Sequence, residues 1–260
     1  MATGRTKIKH WRVYVDGYDW SGFSRALGPL EIAYDEADLT AYMSDSTKGY
    51  LPNQPQVNCG TLNAVLDTNT INPSSYTTGV EREVLAAIGI RAAPVDGDPC
   101  FGGQFNTNSI NVAEDSGAVT WSVGFSGWAA DATTRDYPLC WGTLLHANAA
   151  RTSVTGVNIS DGFDNITGAA TAKGGFFLYQ VLDSNAAGVT ATLSVDDGTS
   201  AADADMDPLA GATTGAIVCV AGVHGIVVPT TLTIRRYLRW QIAFGTATSV
   251  TWVAAFMRKI

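Results

Sequence analysis

Between Leu232 and Phe244 the chain alternates. Leu232, Ile234, Leu238, Trp240, Ile242 and Phe244 fall on one parity; Thr233, Arg235, Tyr237, Arg239 and Gln241 fall on the other. Extended strands send successive side chains to opposite faces, so this pattern predicts one long strand with a buried apolar face, interrupted at Arg236. The same period recurs nearby. "GVTATLSVDDG" sets Val189, Ala191, Leu193 and Val195 against Thr190, Thr192 and Ser194, and "SVTWVAAFMR" aligns Val250, Trp252, Ala254 and Phe256. "GGFFLYQVLD" and "GAIVCVAGVHGIVVP" read as apolar strands buried on both faces. Gly, Asn, Asp and Pro separate these runs, which predicts a β-sandwich or jelly-roll-like module over 155–260.

The N-terminal half reads as a second β-rich domain over 13–148, preceded by a basic arm at 1–12. Strands are expected at Trp11–Val15, Pro29–Tyr34, Val84–Ile90, Phe101–Asn108 and Ala118–Phe125. One short helix is expected after Tyr34. Asp35 can cap it, Glu36 and Asp38 suit its first turn, and Leu39, Tyr42 and Met43 form an i, i+3, i+4 stripe. A second helical turn is expected at Leu62, Val65 and Leu66. The fold class is therefore mainly β, with one or two short helices in the first domain. The small-residue stretch "LHANAARTSVTG" at 145–156 is the expected boundary. "AVTWSVGF" and "SVTWVAAF" echo each other near the ends of the two halves. Duplication would produce the echo, and so would two unrelated strands built from the same β-forming residues.

Composition narrows the function. Apolar residues make up 46% of the 260 and charged residues only 15%, so the surface is built from Ser, Thr, Asn and Gly. Such a surface suits contacts with further copies of the chain. The net charge of −8 argues against general DNA binding, which needs excess Lys and Arg. The arm is basic (Arg5, Lys7, Lys9, Arg12), but no apolar run follows it, so no signal peptide is read and cytoplasmic synthesis is expected. No stretch approaches the ~18 apolar residues of a membrane helix. Cys59, Cys100, Cys140 and Cys219 are far apart without a CxxC pair, and read as reduced small hydrophobes.

Chemistry-bearing motifs are weak. His146 in "GTLLHANAA" and His224 in "AGVHGIVV" have no titratable sequence neighbours, and no GxSxG elbow anchors a hydrolase triad. Asp203, Asp205 and Asp207 alternate like the start of a calcium loop, but Pro208 and Thr214 stand where that loop needs Gly and a bidentate Glu. The acidic loop 196–207 is therefore read as solvated. "NIS" at Asn158 and "NIT" at Asn165 match the glycosylation pattern and are discounted without a secretory leader. No enzymatic activity, cofactor or metal is expected. Arg235, Arg236 and Arg239 crowd one strand. They either discourage edge pairing or reach across to a neighbouring subunit's carboxylates such as Asp196, Asp197 or Asp203.

One further stretch is distinctive. "RVYVDGYDWSGFSRALGPLEIAYDEADLT" bends at Asp16-Gly17 and gathers Tyr18, Trp20 and Phe23. It resembles the N-terminus of phage virion proteins of the tail-tube type. "GTLNAVLD", "IGIRAAPVDGDPCFGGQF", "VTWSVGFSGW" and "RRYLRWQIAFGTATSVTWVAAFMR" resemble segments of the same group, in the same order. The resemblance implies a virion structural protein, made in the bacterial cytoplasm, that polymerises through β-sheet contacts. The major tail tube subunit, lining a passive DNA conduit, is the leading expectation. A capsid decoration protein and a receptor- or glycan-binding tail component are the alternatives. Its partners would be further copies of itself, in rings or trimers, and other phage structural proteins, with no membrane. The candidate intersubunit residues are Trp20, Phe23, Arg25, Arg235, Arg236 and Arg239.

Overall fold

The computed structural model describes residues 10–22, 24–38, 50–65, 78–90, 92–127, 141–152, 162–164, 170, 172 and 174–258. The fold is mainly β. In chain order the strands are β1 (Trp11–Val15), β2 (Tyr18–Asp19), β3 (Ser24–Gly28), β4 (Glu31–Asp38), β5 (Tyr50–Val65), β6 (Glu81–Ile88), β7 (Pro99–Asp115) and β8 (Ala118–Ser126). They continue with β9 (Trp141–Thr152), β10 (Phe163–Asp164), β11 (Gly175–Ser184), β12 (Thr190–Gly198), β13 (Met206–Val218), β14 (His224–Val227), β15 (Tyr237–Phe244) and β16 (Ser249–Arg258). A 3-10 turn at Asp203–Asp205 precedes β13.

The chain forms two compact units that interleave in sequence. The first draws on Met1–Ser24, Arg82–Gly103 and Leu139–Ile260, the second on Arg25–Glu81 and Gln104–Pro138. β7 gives its first residues to one unit and the rest to the other. The expected boundary at 145–156 is displaced, because β9 runs through Leu145–Thr152 as a continuous strand.

The first unit is a sandwich. Its large sheet has the order β14-β11-β16-β9-β7-β6-β1-β2, and its small sheet β10-β15-β12-β13. In the small sheet Leu193 pairs with Ile242 and Val195 with Trp240, so their side chains share one face. That face meets Phe177, Val181, Val250, Trp252, Ala254 and Phe256 of the large sheet in one core. Trp240 and Trp252 touch edge to face at 5.6 Å. The alternation read in 238–244 is therefore real: Leu238, Trp240 and Ile242 are buried and Phe244 is half-buried at the strand's end. The strand is shorter than expected, starting at Tyr237, with Leu232 exposed. β11 and β16 are buried on both faces: Val253, Ala255 and Met257 are covered on the side away from Trp252. "GAIVCVAGVHGIVVP" is not one buried strand. It is divided between the end of β13, where Val218 is exposed, and β14. β13 lies at the end of the small sheet with a single strand neighbour, and the Thr230 amide also donates to its Ala210 carbonyl.

The Asp16-Gly17 bend is the turn of the β1–β2 hairpin. Both residues have positive φ, 50° and 79°, as a two-residue primed turn requires. A side chain on Gly17 would also come within 2.7 Å of the Gly222 backbone. Asp16 is buried; it accepts from the Glu83 amide at 2.8 Å and from the Arg82 guanidinium at 2.8 Å. Gln180 ties the hairpin to β11 and β6, accepting from the Gly17 N–H at 3.0 Å and donating to the Glu83 carbonyl at 3.2 Å.

In the second unit β5 pairs with β3, β4 and β8, and β8 pairs with β7. Leu62 and Ala64 of β5 lie beside Val123 and Trp121 of β8, and all four are buried. The reverse face carries Asn63, Ser122 and Asn111. The expected helix after Tyr34 is corrected at its start: Asp35, Glu36 and Asp38 belong to β4, whose pairing with β5 takes the backbone groups a helix would have used. Leu39, Tyr42 and Met43 lie outside the described residues. Leu62 and Val65 belong to β5 rather than to a helical turn.

Candidate interaction surface

The six residues expected at subunit contacts have different fates. Trp20 follows β2, and its backbone N–H donates to the Val13 carbonyl at 2.8 Å, which turns the ring inward. It is fully buried in its own unit and offers no surface to a neighbour, a correction to the expected contact. Phe23 lies outside the described residues. Arg25 is half exposed and pairs with Asp115 at 2.7 Å, at the end of the β7–β8 hairpin.

The three arginines of the small sheet are also claimed within the chain. β12 and β15 set Asp196 directly opposite Arg239. Arg239 Nε donates to Asp196 at 2.8 Å, and its other arm reaches Asp203. Gln241 adds its amide to Asp196. The Arg239 and Asp196 side chains are only 6% and 2% exposed. Arg235 bridges Asp197 and Asp207, the latter at 2.7 Å. Arg236 pairs with Asp164 of β10 at 2.6 Å and lies over the Tyr237 ring. The carboxylates expected to come from a neighbouring subunit are thus supplied by the same sheet, because the β12–β15 register brings them there. For Arg239 this is a correction, since its head is enclosed. Arg235 and Arg236 keep solvent-facing sides. The loop 196–207 is not simply solvated, since it supplies the acidic half of these pairs.

A second polar cluster was invisible in sequence. His146, fully buried in β9, stacks on Trp252 at 4.4 Å and meets Trp240 edge to face at 4.7 Å. Its Nδ1 lies 3.0 Å from the Trp252 carbonyl, and its Nε2 accepts from Arg151 Nε at 2.8 Å. Nδ1 must therefore carry the proton of a neutral ring. Burial, helped by the Arg151 charge, pushes the imidazole pKa down to about 3. Arg151 lies over Trp240 at 4.7 Å and leans toward Asp96, whose carboxyl is pushed up, chiefly by burial. Asp96 accepts from the Ala147 N–H at 2.6 Å. The network closes on itself and holds a neutral imidazole, which serves packing rather than proton transfer near neutral pH. His224 sits 3.5 Å from Asp16 at the hairpin turn.

Cys59, Cys100 and Cys219 are free and buried. Cys140, Asn158 and Asn165 lie outside the described residues. Among the described residues no helix is long and apolar enough to cross a membrane.

Two outward apolar side chains come together on the β7–β8 hairpin. Val112 and Val119 are 58% and 48% exposed. In the β7–β8 register Val112 pairs with Trp121 and Glu114 with Val119, so these four share the face that is buried further in at Trp121 and Val123. The apolar face of the second unit thus runs out along the hairpin into solvent.

No family model matches the chain, and no curated protein matches it. Among solved structures it is similar to the SPP1 Dit protein, described as a paradigm of the hub adsorption apparatus in phages infecting Gram-positive bacteria. The match covers 96% of this chain and 99% of the other, at 8% identity and a TM-score of 0.32. At that score the two folds are only loosely alike.

Proposed function

We propose that this chain is a non-enzymatic structural protein of a phage virion, built into the tail, with the major tail tube subunit as the specific role. The observation that carries the proposal is the β7–β8 hairpin. Its Val112–Val119 face continues a buried apolar face and ends uncovered, which suits a contact with a second copy of the chain. The segments that resemble tail-tube proteins support it too. They fall on β1 to β4, the end of β5, the β6–β7 connection, β8 and the β15–β16 pair. Charge is compatible with a conduit. Four of the 16 Lys and Arg precede Val13 and none of the 24 Asp and Glu do, so residue 13 onward carries −12. A wall of that sign repels passing phosphate instead of holding it.

The test is sedimentation velocity with negative-stain imaging of the purified protein and of Val112→Asp. The reading expects concentration-dependent rings or tubes that the substitution abolishes while the far-UV spectrum is unchanged, because Val112 packs against little in its own chain. A monodisperse monomer at high concentration, even with virion partners present, would overturn it.

A further inference from the structure

Asn63, Ser122 and Asn111 stand in one row across three strands. Asn63 of β5 is paired with Ser122 of β8, and Ser122 with Asn111 of β7. Paired residues project to the same face and neighbouring strands lie about 4.8 Å apart, so the three side chains span about 10 Å. They line a groove of about 240 Å³, with Thr120 beside them and the Arg25–Asp115 pair also in its wall. Alternation sends the Trp121 ring to the opposite, buried face, so the side chains at the groove's centre are Asn63, Ser122 and Asn111, with Ala113 adding an apolar part to the lining. The Asn63, Ser122 and Asn111 side chains make no hydrogen bond among the described residues. Their hydrogen-bonding capacity is open to a ligand.

The chemistry of that capacity is specific. Each asparagine amide offers a carbonyl acceptor and an NH₂ donor, and the serine hydroxyl does both. The matching ligand group also donates and accepts at one atom, which is an alcohol. Among the described residues the charges in the groove wall are Arg25 and Asp115, which neutralise each other at 2.7 Å, so neither an anion nor a cation finds an unspent partner there. A wholly apolar ligand would strip water from the amides without replacing their hydrogen bonds, whereas a sugar ring offers both hydroxyls and C–H faces to a lining that is part polar and part apolar. The volume is below the roughly 300–1,000 Å³ of sites for drug-sized molecules, which fits a small ligand. We propose that this groove binds a neutral saccharide of one or two rings, the Asn63–Ser122–Asn111 row bridging its hydroxyls.

Saturation-transfer NMR tests this on the full chain, with glucose, galactose, mannose and N-acetylglucosamine each at about 10 mM, a level that half-fills even a weak site. The expected result is transfer to the ring protons of at least one sugar. The Asn63→Ala/Asn111→Ala double variant should weaken it about tenfold or more, since each loss removes a donor–acceptor pair. Val95→Ala, exposed and outside the groove lining, should leave it unchanged. Both variants alter exposed side chains, and an unchanged thermal midpoint confirms their folding. No transfer to any of the four sugars, or equal transfer with the double variant, overturns the proposal. Neither outcome bears on self-association, which the hairpin variant measures separately.

Discussion

Replacing Arg239 by Met removes a cation from an enclosed site and leaves its carboxylate behind. Asp196 is 2% exposed and accepts from Arg239 at 2.8 Å and from the Gln241 amide. Without the guanidinium, one amide donor faces a buried negative charge. Breaking a buried pair from one side costs about 3–5 kcal/mol. Removing both charges, as in Arg239→Met/Asp196→Leu, leaves no orphaned ion. It leaves the Gln241 amide short of an acceptor, which costs about 1–3 kcal/mol. The double variant should therefore be more stable than the single one by about 2 kcal/mol, a coupling opposite in sign to simple addition. Urea unfolding at pH 7, followed by Trp fluorescence, reads this directly, because Trp240 lies next to Arg239 on the same strand. The Arg236→Glu variant is the contrast: its pair with Asp164 is exposed, so unfolding should barely move. If Arg239→Met costs under about 1 kcal/mol and instead changes the sedimentation profile, the arginine works between subunits and the in-chain pairing is wrong.

Trp240→Ala should destabilise the sandwich by about 3–5 kcal/mol in the same assay, since it empties the contact among Trp252, His146 and Arg151. Gly17→Ala should lower the thermal midpoint, because it puts a side chain on a residue with φ of 79° and drives a carbon against the Gly222 backbone. Acid should weaken the fold through His146. Its folded pKa of about 3 lies below the unfolded ~6.5, so its contribution is full above 6.5 and is lost as pH falls toward 3. Between pH 8 and pH 5 that loss is roughly 2 kcal/mol. Asp96, with its pKa raised, works in the opposite direction at lower pH. Urea midpoints at the two pH values should differ in the parent and converge in His146→Gln.

Period-two patterning was legible wherever a strand has one wet and one dry face. β1 matches its expected span, β8 is one residue longer than expected, and the buried parity of 238–242 follows from alternation alone. The misses share a cause, which is dependence on partners distant in sequence. Asp35, Glu36 and Asp38 have the local chemistry of a helix start, yet their backbone is taken by β5. The two units could not be separated because β7 belongs to both. Trp20 looked like a surface anchor because nothing local shows that the hairpin turns its ring inward. The Asn63–Ser122–Asn111 row joins residues about fifty-nine positions apart and exists only through register.

The arginine–aspartate pairs carry the same lesson one step further. By charge, Arg239 suits Asp196 and Asp203, and the structure joins those very residues, but within one chain. A reason lies in the geometry of β15. Its inward parity holds Leu238, Trp240 and Ile242, and its other parity holds Arg239 and Gln241. A slip of one residue against β12 would turn Arg239 toward Trp252 and Val250 and carry Trp240 outward. The hydrophobic pattern already opposes that slip. The Asp196 carboxylate opposes it again, because only the native register gives Arg239 and Gln241 a common acceptor. A slip of two residues preserves the faces and escapes the hydrophobic argument, but it would pair Asp196 with Gln241 and Arg239 with Gly198, or in the other direction Asp196 with Tyr237 and Arg239 with Ser194. The buried charges therefore discriminate where apolar alternation is silent. They hold the small sheet in one register, whether or not the chain ever meets a neighbour.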